Sequence, residues 1–163
     1  MTDRHIFDAA VLDNFSARVL EKDDLAQAHV LVGLCHDAVT LEHWQRLVSA
    51  GERPGPQVWQ AMRDRRGYIH GLFAHRTEMD LIDGATLSLT DVLTAGPSWR
   101  ATLQAIEATA RTIARNEGCP TIRMLLHPDR QAPSPDQLRN VFCTLGYWDC
   151  GPYLKRAAPL VAY

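Results

Sequence analysis

The sequence predicts an α+β fold in which one mixed, mostly antiparallel sheet of six or seven strands carries helices on both faces. Residues 85–126 have the pattern strand, helix, strand, which is typical of two parallel neighbours joined by a right-handed crossover. Two strand-like runs precede that unit, each followed by turn residues, and they predict an antiparallel meander. Amphipathic stretches on both sides of the meander predict the helices that cover the sheet.

The central strand of this sheet begins at Ala85. Ala85, Leu87 and Leu89 alternate with polar residues, which is the period of a strand with one buried face. Asp91 occupies the position where the next inward apolar residue is due, and two apolar residues follow it without alternation. This break predicts a β-bulge or a strand end near Asp91.

A long helix and a second buried strand follow the central strand. Ser98 is the predicted N-cap of the helix, and Gly118 is its predicted end. Apolar residues recur between them at helical spacing, and the remaining polar residues, Glu107 and Arg111 among them, predict a solvated face. The β-branched and apolar run at 121–126 predicts the parallel strand.

The elements before the central strand are separated by clear turn signals. The acidic run Lys22-Asp23-Asp24 suits the first turn of a helix, and glycines and prolines at 51–56 form the strongest break in the chain. Asp64-Arg65-Arg66-Gly67 is typical of a hairpin turn. The predicted elements in this half are a strand at 16–20, helices from Lys22 and from Thr40, and strands at 57–63 and 68–76.

A last helix and one or two short strands complete the predicted fold. Ser134-Pro135-Asp136-Gln137 is a capping box with proline at the first helical position, which is a specific signal for a helix start. Gly146 ends this helix. The apolar residues beyond it exceed what a closing sheet edge needs, and they predict a homodimer through this end of the chain. They are Trp148, Tyr153, Leu160, Val161 and Tyr163.

Length and charge exclude several classes of protein. The 163 residues fit one domain spanning 1–163, with an N-terminal extension of uncertain structure at 1–15. A formal net charge of −2 does not supply the basic surface that a nucleic-acid binder needs. No apolar run approaches a membrane span or a signal core, so we expect a cytoplasmic protein. The spacing of the cysteines and histidines predicts no metal site and no disulfide.

The order of the elements resembles the GNAT superfamily of acyl-coenzyme A-dependent N-acyltransferases, of which the chain looks like a divergent member. The resemblance covers residues 16–156. In that family the fourth strand carries a bulge and splays from the fifth, and the gap between them receives the pantetheine arm of the co-substrate. The segments that carry the resemblance are Asp91-Val92-Leu93, Asn116-Glu117-Gly118-Cys119, the strand at 122–126 and Leu145-Gly146-Tyr147.

The resemblance implies acetyl-CoA or another acyl-CoA as co-substrate. Family members usually place a glycine-rich loop between the fourth strand and the long helix, where backbone N–H groups cradle the pyrophosphate. Here that loop keeps Gly96 but contains Pro97, which has no N–H group, so we expect the charge of Arg100 to compensate. The implied contacts are Val92, Leu93 and Thr94 with pantetheine, and Gly96, Ser98, Trp99, Arg100 and Ala101 with pyrophosphate.

The resemblance also locates the candidate catalytic residues. The family's usual tyrosine, which protonates the leaving thiolate, is replaced here by Phe142, which cannot donate a proton. Tyr147 is the candidate substitute. Asp91 and His127 are candidates for deprotonating an amine, although Asp91 could instead accept hydrogen bonds from the bulged backbone.

Three functions are consistent with the sequence. The first is acyl transfer from acyl-CoA to a primary amine of a small molecule or a peptide. The second is a catalytically inactive GNAT-like domain that senses a ligand or binds a partner, which the altered loop and Phe142 favour. The third is an unrelated α+β fold with a different ligand.

Overall fold

A computed structural model describes residues 13–49, 57–127 and 133–158 of the chain. Over these residues, seven strands form one sheet and four α-helices pack against it. The strands are β1 Phe15–Val19, β2 Val58–Asp64, β3 Ile69–Asp80, β4 Gly84–Thr94, β5 Thr121–Leu125, β6 Trp148–Asp149 and β7 Tyr153–Ala157. The helices are α1 Leu25–Cys35, α2 Leu41–Ser49, α3 Trp99–Asn116 and α4 Pro135–Thr144.

The sheet has the strand order β1-β2-β3-β4-β5-β7-β6. Every pair of neighbouring strands in it is antiparallel except β4 and β5, which are parallel. The parallel pair runs from Thr86 opposite Thr121 to Leu89 opposite Met124, and α3 provides the crossover. Both the predicted meander and the predicted parallel pair are therefore confirmed. Lys22–Asp24 forms a 3-10 turn that leads into α1. Of the predicted N-terminal extension, residues 1–12 lie outside the described residues, and Phe15 already belongs to β1.

A bulge interrupts the pairing of β3 with β4, as the broken alternation predicted. Ala74 pairs with Asp91 and His75 pairs with Leu89, so Thr90 is the extra residue. An extra residue shifts every later side chain to the opposite face of the sheet. Asp91 consequently shares the face of its partner Ala74, and the expectation that it continues the face of Leu89 was wrong.

Each face of the sheet carries two helices and its own hydrophobic core. On one face, α3 and α4 pack over a core that includes Leu87, Leu89 and Phe73. On the other face, α1 and α2 cover a core that includes Leu72, Leu93 and a Trp44–Trp59 ring pair in edge contact. The arrangement confirms the prediction of two helices on each side.

The two predicted helix caps have different outcomes. Ser134 and Gln137 form the predicted capping box: the Gln137 N–H donates to Ser134 Oγ at 3.2 Å, and the Ser134 N–H donates to Gln137 Oε1 at 2.8 Å. Ser98 is the N-cap residue of α3, as predicted, but its side chain makes no capping hydrogen bond. Instead, the Ser98 carbonyl accepts from both the backbone and the hydroxyl of Thr102, at 2.9 and 3.0 Å.

A buried ion pair joins α3 to β7. Glu107, predicted on a solvated face, is 0% exposed, so that part of the helix prediction was wrong. Its carboxylate accepts from Arg111 at 3.0 Å and from Arg156 at 2.7 Å, and Arg156 also donates to the Leu145 carbonyl. Burial raises the pKa of Glu107, and the two guanidinium groups act in the opposite direction. The cluster fixes α3, β7 and the end of α4 to one another.

Candidate active site

A gap opens between β4 and β5 beyond Leu89. The two strands are paired only from Thr86 to Leu89, whereas β4 stays paired with β3 as far as Thr94. Within the described residues, no strand pairs with the last residues of β4 on the side of β5. Backbone N–H and C=O groups need partners, so this stretch is suited to binding a ligand that carries amide groups.

His127 lies at this gap and contacts the bulge. Its Nε2 is 2.7 Å from the Thr90 carbonyl oxygen and 3.4 Å from Asp91 Oδ1. A carbonyl oxygen can only accept, so Nε2 carries the proton and Nδ1 has the lone pair. The Asp91 carboxylate, which is 13% exposed, is placed to stabilise the imidazolium when His127 takes up a second proton. Two of the three candidate catalytic residues therefore lie together.

A small cavity of about 140 Å³ lies where β4 leads into α3. Gly96 has a φ of +79°, a conformation that favours glycine, and its carbonyl accepts from the Trp99 N–H at 3.3 Å. The cavity is lined by Thr94, Ala95, Gly96, Trp99, Pro133 and Gln137. Three of the sequence-predicted contact residues, Thr94, Gly96 and Trp99, thus share one cavity.

The first turn of α3 presents a positive charge beside this cavity. The Arg100 guanidinium lies over the Trp99 indole, with its carbon 4.6 Å from the ring centroid, and Arg100 is exposed. Arg100 and Ala101 are first-turn residues, whose N–H groups have no acceptor inside an α-helix. These N–H groups, the helix dipole and the guanidinium all favour an anion at this end of α3.

Tyr147 is placed away from these groups, in the core under α3 and α4. It is 4% exposed, its ring meets Phe142 edge-on at 5.1 Å, and its hydroxyl has no hydrogen-bond partner within the described residues. Burial, with the nearby Glu107 carboxylate, raises the pKa of Tyr147. A buried phenol of this kind is a poor proton donor to a substrate, so Tyr147 is not included in the catalytic proposal below.

Sequence reasoning missed a second pocket, of about 290 Å³, on the α1 and α2 face of the sheet. Charged residues on β3 and β5 meet across Ser88 of β4 to form it. The alternation of Arg76, Glu78 and Asp80 along β3 was the available signal, because it places three charges on one face. The pocket is lined by Arg76, Glu78, Ser88, Leu89, Thr90, Arg123, Leu125 and Tyr153.

No group of three or more His, Cys, Asp or Glu side chains among the described residues is arranged to hold a metal ion. None of the helices between residues 13 and 158 that the structure describes is long and apolar enough to cross a membrane.

Comparison with known proteins establishes the fold. No protein-family model and no curated protein matches the sequence. Solved structures do match: spermidine N-acetyltransferase from Vibrio cholerae, in complex with CoA and spermine, has a TM-score of 0.64 at 12% identity, covering 89% of this chain and 96% of its own. An N-acetyltransferase from Staphylococcus aureus Mu50 has a TM-score of 0.64 at 8% identity, with 88% and 97% covered. A protein described as a phosphinothricin N-acetyltransferase has a TM-score of 0.60 at 15% identity, with 89% and 99% covered. The chain therefore has the fold of the GNAT acetyltransferases, as the resemblance implied.

Proposed function

We propose that this chain is an N-acyltransferase that moves an acyl group from acetyl-CoA or another acyl-CoA to a primary amine of a small molecule or a peptide. The observation that carries the proposal is the gap between β4 and β5, with the His127–Asp91 pair at the bulge beside it. The likeness to the Vibrio cholerae enzyme in complex with CoA and spermine supports it.

Residues at the end of β4 and the start of α3 would hold the acyl-CoA. The backbone of Val92, Leu93 and Thr94 borders the gap and suits the amide groups of pantetheine. The pyrophosphate would lie at the N-terminus of α3. The residues there are Gly96, Ser98, Trp99, Arg100 and Ala101. Bound acyl-CoA supplies an activated thioester carbonyl.

His127 acts as the general base in this proposal. Only a neutral amine is a nucleophile, so one proton must leave the substrate nitrogen before or during attack. His127 Nδ1 accepts that proton, and Asp91 stabilises the resulting imidazolium. The amine nitrogen forms a bond to the acyl carbon while the bond from that carbon to sulfur breaks. The sulfur leaves as a thiolate and takes a proton from solvent, because the position of the family's tyrosine is occupied by Phe142.

Arg100→Ala should weaken CoA binding by about tenfold or more, which is the scale of one lost hydrogen bond to a charged group. The loss should be large here because Pro97 removes a backbone donor from the loop, so the anion depends more on the guanidinium. Isothermal titration of CoA into the wild type and the variant measures it.

Arg115→Ala is the matched control, since Arg115 is an exposed arginine at the opposite end of α3. It should bind CoA like the wild type. Equal affinities of the Arg100 variant and the wild type would mean that the phosphates bind elsewhere. No detectable wild-type binding at millimolar CoA would favour the inactive, ligand-sensing or partner-binding alternative.

We further propose that the chain forms a homodimer through its C-terminal end. Trp148 is 49% exposed on β6, the edge strand of the sheet, which supports the proposal. Leu160, Val161 and Tyr163 lie outside the described residues. Sedimentation velocity at micromolar concentration should show a dimer, and Trp148→Glu should shift it toward monomer. A wild-type monomer would contradict the proposal.

The cytoplasmic location stays a prediction.

A further inference from the structure

The pocket on the α1 and α2 face adjoins the proposed reaction centre. Thr90 lines this pocket, and the Thr90 carbonyl accepts the hydrogen bond from His127. Asp91 shares the same face of the sheet because of the bulge, since it pairs with Ala74. An amine that reacts beside His127 would therefore extend the rest of its structure into this pocket.

The pocket lining carries an excess of positive charge. Arg76 and Arg123 both bind the Glu78 carboxylate, and Ser88 donates to it at 2.7 Å. Burial by itself would raise the pKa of Glu78, but these donors outweigh it and hold that pKa below its ordinary value. Glu78 is thus an ionised, hydrogen-bonded support for the two guanidinium groups. Asp80 binds Arg123 at 3.2 Å but does not line the pocket.

Both arginines bind Glu78 and flank Ser88 from opposite sides. Arg123 donates to Glu78, to Asp80 at 3.2 Å and to Ser88 at 3.2 Å, and its guanidinium carbon lies 5.5 Å from the centre of the Tyr153 ring. This network fixes Arg123 as part of the wall. Arg76 lies on β3, the strand that pairs with Asp91, and follows Ala74, the partner of Asp91, by two residues.

Two residues of a strand span about 7 Å, so Arg76 and Asp91 lie on one face of the sheet, at nearby positions of two paired strands. The two groups have opposite charges and are suited to the two ends of a zwitterion. Leu125 and Tyr153 add an apolar wall, with Leu125 40% exposed. The pocket thus offers a cation, an anion and an apolar surface.

We propose that the acceptor is an α-amino acid with an apolar side chain, whose carboxylate binds Arg76 while its amino group lies at Asp91 and His127. The inference rests on the acyltransferase function proposed above and specifies its substrate class. A guanidinium and a carboxylate form charge-assisted hydrogen bonds, which amines without a carboxylate cannot make. A polyamine such as spermine would instead place further positive charge against two arginines.

The proposed acceptor class can be tested by binding alone, without turnover. The probes are matched pairs that differ only in the carboxylate. The pairs are L-leucine with 3-methylbutylamine and L-phenylalanine with 2-phenylethylamine, with spermine as the polycation. Isothermal titration into the wild type, with CoA present, should show each amino acid binding at least about tenfold tighter than its amine. Equal or weaker binding of both amino acids, or tightest binding of spermine, overturns the proposal.

Variants of Arg76 connect the preference to this residue. Arg76→Gln should reduce the affinity of the amino acids to about that of the amines, while Arg76→Lys should keep much of the preference through its charge. Arg18→Gln, which alters an exposed arginine on β1, should leave every affinity unchanged. If Arg76→Gln is folded by circular dichroism and its amino-acid affinity equals that of the wild type, Arg76 is not the anchor and the proposal is overturned.

Measurements of turnover distinguish the proposed acceptor class from the proposed acyltransferase function. Release of CoA thiol from acetyl-CoA should be faster with each amino acid than with its amine. Transfer to the amines alone overturns the acceptor class and leaves the acyltransferase function intact. No transfer to any amine, combined with tighter binding of the amino acids, overturns the proposed function and supports the specificity of the pocket.

Discussion

Glu107→Ala should lower the free energy of unfolding by about 3–5 kcal/mol, the usual cost of breaking a buried ion pair on one side. The carboxylate is 0% exposed and accepts from Arg111 on its own helix and from Arg156 on β7. Removing it leaves the Arg156 guanidinium without its ionic partner, and among the described residues Nη1 keeps the Leu145 carbonyl as its acceptor. The desolvation of that charge is then poorly compensated.

Urea denaturation followed by circular dichroism measures this effect, and Arg115→Ala on the exposed face of α3 is the control. A change within about 0.5 kcal/mol is expected for that exposed arginine. The double variant with Arg156→Ala should be less destabilised than the sum of the two single variants, because the unpaired charge has been removed. A Glu107 variant as stable as the control would show that the pair does not hold α3 to β7.

Glu107 also shows where the sequence stops being informative about the fold. Its i, i+4 spacing with Arg111 gives an ordinary polar stripe, and the salt bridge between the two is local. The second partner of its carboxylate, Arg156, is 49 residues away along the chain. Periodicity contains no information about such a partner, so the helix could be predicted and the environment of its polar face could not.

At the candidate site, too, features set by neighbouring residues in the sequence could be predicted, and features set by strand pairing could not. The broken alternation located the bulge to within one residue, since Thr90 is the extra residue and Asp91 was the predicted one. Which face Asp91 then occupies depends on its pairing with Ala74 of β3. Gly96 and Trp99 were found because a resemblance covers a contiguous loop, and they do line one cavity.

Residues brought together by the sheet were harder to find. Arg76 and Arg123 meet only because β4 lies between their strands, so their shared pocket has no contiguous motif. Tyr147 was selected for its chemistry near the closing glycine. The fold instead packs its ring against Phe142 in the core.

His127→Ala should lower kcat by about a hundredfold to ten-thousandfold, the usual contribution of a general base. Acetyl-CoA binding should stay within a few-fold of the wild type, because the contacts proposed for the co-substrate lie on β4 and α3. Initial rates of CoA release with the best acceptor, together with isothermal titration, measure the two quantities. His43→Ala is the matched control, since His43 is an exposed histidine on α2.

His127 also holds the bulge through its hydrogen bond to the Thr90 carbonyl, so a structural loss must be distinguished from a catalytic one. His127→Gln separates them, because the glutamine amide can donate to that carbonyl but cannot accept a proton at neutral pH. We expect this variant to recover thermal stability and to remain as inactive as the alanine variant. Recovery of activity along with stability would assign His127 a purely structural role.

Asp91→Asn tests whether Asp91 and His127 act together, because a base and the carboxylate that stabilises its charged form act as one unit. Residues that act as a unit are strongly non-additive, so the double variant of Asp91 and His127 should be about as slow as His127→Ala alone. Losses that multiply would mean that the two side chains act independently. A full rate in both single variants would move the proton acceptor away from this pair, even though their 3.4 Å contact lies at the gap between β4 and β5.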